Sequence, residues 1–256
     1  MSKISNFLEN LPPSPGPALT PFRVNYEYLT LLQRIPQSLH SYLEETVNNV
    51  IKANFDGFKT LNHKLAGHID LEFELPCEND DFRSYIKWLC VQQLIMDENC
   101  PYQKHILEFT EIIGTTDQEE LKNFEQLIFN HLDFNTFWVN FQKKYEYNPL
   151  HNHTGMFSFV IWHKIPYHIK DEIAMGAGKI EGNGVNKNLN GTFEFHCRNT
   201  INQNSDMSNC IIPADKKWEN MICLFPSNLM HSVNPFYSSD DYRITLSGNI
   251  FLKLNK

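Results

Sequence analysis

Apolar residues recur at helical spacing early in the chain and at alternating spacing late in it. Leu39, Leu43, Val47, Val50 and Ile51 fall near a 3.6-residue period, which predicts an amphipathic helix over residues 37–55. Phe82, Tyr85, Ile86, Leu89, Cys90 and Leu94 mark a second helix. Thr116-x-x-Glu119 has the form of a capping box and opens a third, with Leu121, Phe124, Leu127, Ile128 and Leu132 on its buried side. Residues 58–75 alternate in places and read as a strand or hairpin around Gly67. From about residue 134 the pattern changes. Short β-rich runs at 137–142, 157–163, 191–196, 220–225 and 243–252 alternate with turn-rich loops, which predicts a sandwich or barrel. No linker separates the two halves. The expected architecture is one α+β domain over residues 23–256, helical to about 133 and β-rich from about 134. An extended, Pro-rich arm over residues 1–22 precedes it.

Composition narrows the class. The chain has 256 residues, 41% hydrophobic and 13% aromatic, which is enough to bury a core and excludes intrinsic disorder. No apolar run approaches the roughly 18 residues that a membrane helix needs, so no membrane partner is expected. A net charge of −8 removes the counterion-release drive for nucleic acid, and none is expected as a partner. Residues 1–22 lack the apolar stretch of a secretion signal, which points to the cytoplasm. The six cysteines, at 77, 90, 100, 197, 210 and 223, form no CxxC and read as reduced, mostly buried thiols.

The histidines carry the candidate chemistry. His151 and His153 lie in Tyr147-Asn-Pro-Leu-His-Asn-His-Thr-Gly155. In extended backbone, residues two apart project to one face, so both imidazoles can reach one metal ion. His231, in Leu224-Phe-Pro-Ser-Asn-Leu-Met-His-Ser-Val233, lies at the end of another apolar strand and is the third candidate. Three ligands on one side of a metal leave positions open for substrate and oxygen. A His-x-His pair by itself is a weak signal; the downstream histidine strengthens it. Twelve residues on, Arg243 and Thr245 share a strand face, and an Arg fork beside a hydroxyl suits a carboxylate. His163, His168 and His196 read as rim, surface or core residues. Gly176, Gly178, Gly182 and Gly184 lack a Gly-Lys-Ser/Thr ending and read as a loop over the barrel mouth.

Taken together, His-x-His, the later His and Arg-x-Thr resemble the iron(II)/2-oxoglutarate-dependent oxygenases, and among them the phage and marine-bacterial members related to prolyl hydroxylases. The segments that carry the resemblance are 147–166, 221–235 and 243–250. It implies a double-stranded β-helix (jelly-roll, cupin-like) core with the N-terminal helices packed beside it. It implies iron(II) on His151, His153 and His231, with Arg243 on the far carboxylate of 2-oxoglutarate and Thr245 where many relatives have Ser. Ser158 and Trp162 would face the cosubstrate; Trp162 departs from the usual Tyr and offers only an indole N–H. The larger departure is His153, where the family carries Asp or Glu. Either His153 ligates directly, or Glu146 or a more distant acid supplies the carboxylate.

The reaction so implied is hydroxylation of a C–H bond in a peptide side chain or small metabolite. It would consume O2, release succinate and CO2, and respond to ascorbate as a stimulant. The phage-like resemblance adds an infected bacterial cytoplasm as the setting. Two other readings remain: a cupin-type metalloenzyme, which lacks its usual Glu here, and a non-catalytic jelly-roll binding module with a vestigial His cluster. The primary substrate and oligomeric state are not encoded in any motif.

Overall fold

The computed structural model describes residues 19–24, 28–62, 67–97, 124–175, 179–180, 187–198 and 207–253. Most of the Pro-rich arm, Cys100, the Thr116–Glu119 capping box and the glycines at 176, 178, 182 and 184 lie outside the described residues.

Helix α1 (Gln37–Lys52) forms where the period predicts it and buries Leu39, Leu43, Val47 and Val50 along one face. It gives way to a turn in which Asn54 and Phe55 take positive φ. Helix α2 (Asp80–Met96) begins at Asn79, whose side-chain oxygen accepts from the Phe82 amide at 2.8 Å. Asp80 and Asp81 in its first turn face the positive end of the helix dipole. Helix α3 (Phe124–His131) runs straight into a strand, and a short α4 (Ile169–Ala174) follows later. Among the described residues no helix is long and apolar enough to cross a membrane.

Before α1 come β1 (Thr20–Arg23) and β2 (Leu29–Arg34), and before α2 the short β3 (Glu72–Glu74). After α3 come β4 (Leu132–Gln142), β5 (Asn148–His151) and β6 (Phe157–Lys164). The small ribbon β7 (Lys179–Ile180) and β8 (Lys187–Asn188) precedes β9 (Phe193–Arg198) and β10 (Met207–Ile212). The chain ends in β11 (Met221–Pro226), β12 (Met230–Val233) and β13 (Arg243–Leu252). A seven-stranded sheet has the order β1-β2-β11-β6-β13-β4-β3, and a four-stranded sheet the order β10-β9-β12-β5. All named pairings are antiparallel.

The period-two alternation divides the interior. Phe137, Val139, Phe141, Phe157, Phe159, Ile161, Leu224 and Leu246 on the large sheet pack with α1 and α2 in one core. Val160, Trp162, Cys223 and Phe225 point the other way, onto Phe193, Phe195 and Ile212 of the small sheet. Phe82 of α2 is the centre of the first core, with ring centroids 5.8, 5.2 and 6.2 Å from Phe134, Phe137 and Phe159. Full burial of one such ring contributes about 1.5–3 kcal/mol. A Cβ on Gly248 would come within 2.7 Å of the Phe134 and Phe159 rings, so glycine is what lets β13 lie this close to the cluster.

Several expectations change. β1 and β2 are two strands that the sequence pattern did not show, in or beside a part of the chain read as mainly helical. β5, β10 and β12 were not legible, because four-residue strands and the sequence MSNCII carry no apolar alternation. Of the hairpin around Gly67, the described residues keep the Thr60–Phe73 bridge, with Leu61 N–H donating to Glu72 O and Glu74 N–H to Lys59 O, each at 2.9 Å.

Candidate metal centre and its cavity

Two strands of the small sheet bring the histidines together. β12 pairs with β5 so that His231 stands directly opposite His151. Direct antiparallel partners share a face, and the two ring centroids are 4.3 Å apart. His153 lies two residues past the end of β5, where its amide donates to Ser227 O at 2.9 Å. That anchor turns its ring to 5.1 Å from His151 and 5.0 Å from His231. One ring nitrogen from each comes within 4.8 Å of the others. His231 belongs to its own strand in the small sheet, which corrects its expected place at the end of the preceding apolar strand.

Hydrogen bonding sets the tautomers. His151 Nδ1 lies 2.6 Å from Pro149 O, and His231 Nδ1 lies 2.9 Å from Leu229 O. A carbonyl only accepts, so each Nδ1 carries the proton and each Nε2 keeps its lone pair. Burial holds all three rings below the usual imidazole range. For His151 the Pro149 carbonyl opposes burial; His153 is pushed down to about 3, with His151 adding to the burial effect; and His231 is held lower by burial, then by the other two. Neutral imidazoles with aimed lone pairs form a donor set for a divalent transition metal, so the residues fit iron(II). Phe193 stacks on His231 at 5.5 Å and Phe225 approaches it at 4.9 Å, which fixes the ring from behind.

The triad opens into a cavity of about 110 Å³. Its opposite wall is one row of cross-strand partners on the large sheet: Glu72, Asn140, Thr245 and Trp162. The next row holds Gln142 and Arg243.

Arg243 is 1% exposed. Its Nε and Nη2 donate to Gln142 Oε1 at 3.0 and 2.6 Å, and its Nη1 donates to the Tyr167 hydroxyl at 2.6 Å and Gly191 O at 3.0 Å. Nη2 also donates to Asn234 O at 3.0 Å. Every partner is neutral. A buried guanidinium with no carboxylate facing it among the described residues leaves an uncompensated positive charge at the cavity, which suits an organic anion such as 2-oxoglutarate.

Thr245 and Trp162 line the cavity, and Thr245 Oγ1 accepts from Asn140 Nδ2 at 3.2 Å. Ser158 does not. It lies on the same face of β6 but beyond the cavity, and its hydroxyl is spent on Ser227 Oγ at 2.9 Å and Asn249 Oδ1 at 2.8 Å. Glu146, the alternative carboxylate, accepts from the Lys143 amide at 2.7 Å and the Asp70 amide at 3.4 Å, and is absent from the cavity wall. His163 and His168 lie against Glu44 and Asp215, and His196 bonds Asn209 and Ser232; none lines the cavity. The sequence reading missed Gln142, Tyr167 and Glu72. The alternation in Leu71-Glu-Phe-Glu-Leu75 signalled Glu72 as off the core face, but not that this face is covered.

Residues 136–249 match the family model described as "Putative 2OG-Fe(II) oxygenase". The resemblance read from the histidine and arginine motifs is therefore shown for the segment that carries all three histidines, Arg243 and Thr245. Solved structures are similar to most of the chain at low identity. A prolyl-4-hydroxylase from Pseudomonas putida is 11% identical, with 88% of this chain and 92% of that chain covered and a TM-score of 0.41. An oxidoreductase of the 2OG-Fe(II) oxygenase family from Burkholderia pseudomallei is 10% identical, with 98% and 90% covered and a TM-score of 0.36. AviO1 from Streptomyces viridochromogenes Tue57 is 9% identical, with 87% and 89% covered and a TM-score of 0.37. No curated protein matches the chain.

Proposed function

We propose that the chain is an iron(II)/2-oxoglutarate-dependent dioxygenase that hydroxylates a C–H bond of a peptide side chain or small metabolite. The observation that carries this is the convergence of three neutral imidazoles on one point, inside the segment that matches the oxygenase family. Bound iron(II) with 2-oxoglutarate and O2 supplies the oxidation, in which the cosubstrate leaves as succinate and CO2 and one oxygen atom enters the substrate.

The chain's own residues bind, orient and exclude water. Nε2 of His151 and of His231 hold the metal, their rings fixed by the Pro149 and Leu229 carbonyls. His153 is the third ligand, so the protein contributes no negative charge to the centre. Arg243 holds the far carboxylate of 2-oxoglutarate, with Thr245 beside it and Gln142 yielding its place on the guanidinium. Trp162, Phe193 and Phe225 keep the wall behind these groups apolar.

The strand order supports a double-stranded β-helix as the scaffold. β4, β6, β11 and β13 lie in the large sheet, and β5, β9, β10 and β12 in the small one. The chain thus crosses repeatedly between the small sheet and four adjacent strands of the seven-stranded one, as a jelly roll does. Free thiols at Cys77, Cys90, Cys197, Cys210 and Cys223 support a reducing, cytoplasmic setting. Nucleic acid and membrane are not partners in this reading.

Anaerobic iron(II) titration followed by 2-oxoglutarate and O2 tests it. The expected result is slow, iron-dependent succinate formation without substrate, faster with ascorbate. Iron-loaded protein that neither binds nor consumes 2-oxoglutarate overturns the reading.

A further inference from the structure

One group on the cavity wall has no place in that scheme. Glu72 is 1% exposed, lines the cavity, and has no hydrogen-bond partner on either carboxylate oxygen among the described residues. No lysine, arginine or histidine among them pairs with it. Burial and the nearby Glu146 carboxylate push its proton affinity up, to a pKa of about 7. A carboxyl buried without a partner destabilises the empty protein, and groups of this kind cluster at functional sites.

Its neighbours share its character. Asn140, directly across from Glu72 on β4, donates its Nδ2 to Thr245 and leaves Oδ1 unpartnered. Asn148 Oδ1, also on the cavity wall, is unpartnered too. This end of the cavity wall therefore carries four side-chain oxygens that no donor among the described residues satisfies. The other end presents Arg243, one row up on β13, two strands from β3. Two strand spacings amount to roughly 9–10 Å, so the wall is positive at one end and acidic at the other.

We infer that Glu72, with Asn140 and Asn148, binds a cationic nitrogen group of the primary substrate, an alkylammonium or guanidinium, while Arg243 binds the anionic cosubstrate. This rests on the oxygenase reading for the word substrate, but the binding site stands on the unpartnered acceptors alone. A cation entering here meets an oxygen cluster that the described residues leave unsatisfied, and the two opposite charges assign the two ligands to separate ends of one cavity. Specificity against a neutral isostere follows, because such a ligand leaves Glu72 buried and unpaired.

The test uses matched blocked amino acids: Nα-acetyl-lysine amide against its norleucine counterpart, and Nα-acetyl-arginine amide against its citrulline counterpart. Each is titrated calorimetrically into the protein, both metal-free and loaded anaerobically with iron(II) and 2-oxoglutarate. At least one cationic probe is expected to bind ten-fold or more tightly than its neutral counterpart, and Glu72→Gln should abolish that difference while leaving iron(II) affinity within two-fold. Equal binding of charged and neutral probes overturns the inference, as does a charge preference that survives Glu72→Gln. Loss of iron from Glu72→Gln overturns it as well, by making Glu72 a metal ligand. Succinate formation is measured in parallel, so charge-selective binding without turnover counts against the oxygenase reading and leaves the cation site standing.

Discussion

Arg243 and Gln142 stand directly opposite each other on β13 and β4, and the single Gln142 Oε1 accepts from both Nε and Nη2 of the guanidinium. With Tyr167, Gly191 and Asn234 this uses all five N–H groups of the arginine, so an incoming carboxylate must displace an acceptor. The Gly191 and Asn234 acceptors are backbone and cannot move independently. Gln142 sits on a rotatable side chain, and in the proposed function it is the acceptor that yields. The arginine is thus held in place before any ligand arrives.

Arg243→Leu is expected to weaken 2-oxoglutarate binding by about 2–4 kcal/mol, because a buried carboxylate loses its charged partner. Iron(II) affinity should barely change, since no metal-ligand contact is touched. The variant should also lose thermal stability, as Gln142 Oε1 and the Asn234 carbonyl lose their donor while Gly191 O keeps the Tyr167 hydroxyl. Calorimetric titration beside a melting curve reads both effects. An unaltered cosubstrate affinity with a lowered melting temperature would make Arg243 a structural residue only.

The histidine set makes a sharper claim. If three imidazoles hold the metal, alanine at 151, 153 or 231 should each reduce iron affinity far beyond the roughly 10–100-fold that loss of an outer-sphere partner costs. His153→Asp should retain iron, since it restores a carboxylate at the position where the family has one. Anaerobic titration of the four variants decides it. Near-parental binding by His153→Ala alone would remove His153 from the ligand set, and Glu72, the unpartnered carboxyl on the cavity wall, would take precedence over Glu146 as the missing ligand.

The histidine cluster was legible in the sequence as a His-x-His pair with a later His, although His153 lies beyond β5 and is turned by its bond to Ser227, and His231 stands on a separate short strand. The opposite wall was not. Glu72 to Asn140 and Asn140 to Thr245 are cross-strand contacts between elements 68 and 105 positions apart, and no local period encodes register between them. Arg243 was legible as a candidate for a carboxylate, but its burial and neutral cage depend on Tyr167 and Gly191 arriving from loops. Ser158 came from the resemblance and not from any local pattern, and its hydroxyl lies against Ser227 and Asn249, away from the residues that line the cavity.

Gly248→Ala tests the packing behind the site. Its new Cβ would meet Phe134, Phe159 and the Thr136 carbonyl at 2.7 Å, and two of those atoms belong to rings already enclosed by Phe82 and Phe137. Overpacking of this kind costs about 1–3 kcal/mol. A urea unfolding midpoint equal to the parent's would mean that the aromatic cluster is looser than these distances require.

Glu72 gives a pH signature that needs no ligand. Its carboxyl is raised from 4.5 to about 7 in the folded chain, chiefly by burial and then by Glu146. Between those values the folded protein holds a proton that the unfolded chain has released, so this group's contribution to stability falls as pH rises through that window. Below about pH 4.5 both states are protonated and the penalty is absent; above about pH 7 it is fully present. Glu72→Gln carries no such penalty. The variant should therefore match the parent near pH 4.5 and exceed it by up to about 2–3 kcal/mol at pH 8. Denaturant unfolding of both proteins across that range measures the difference. A gap that stays constant with pH would mean that Glu72 is ionised throughout, with a partner in solution that the fold itself does not provide.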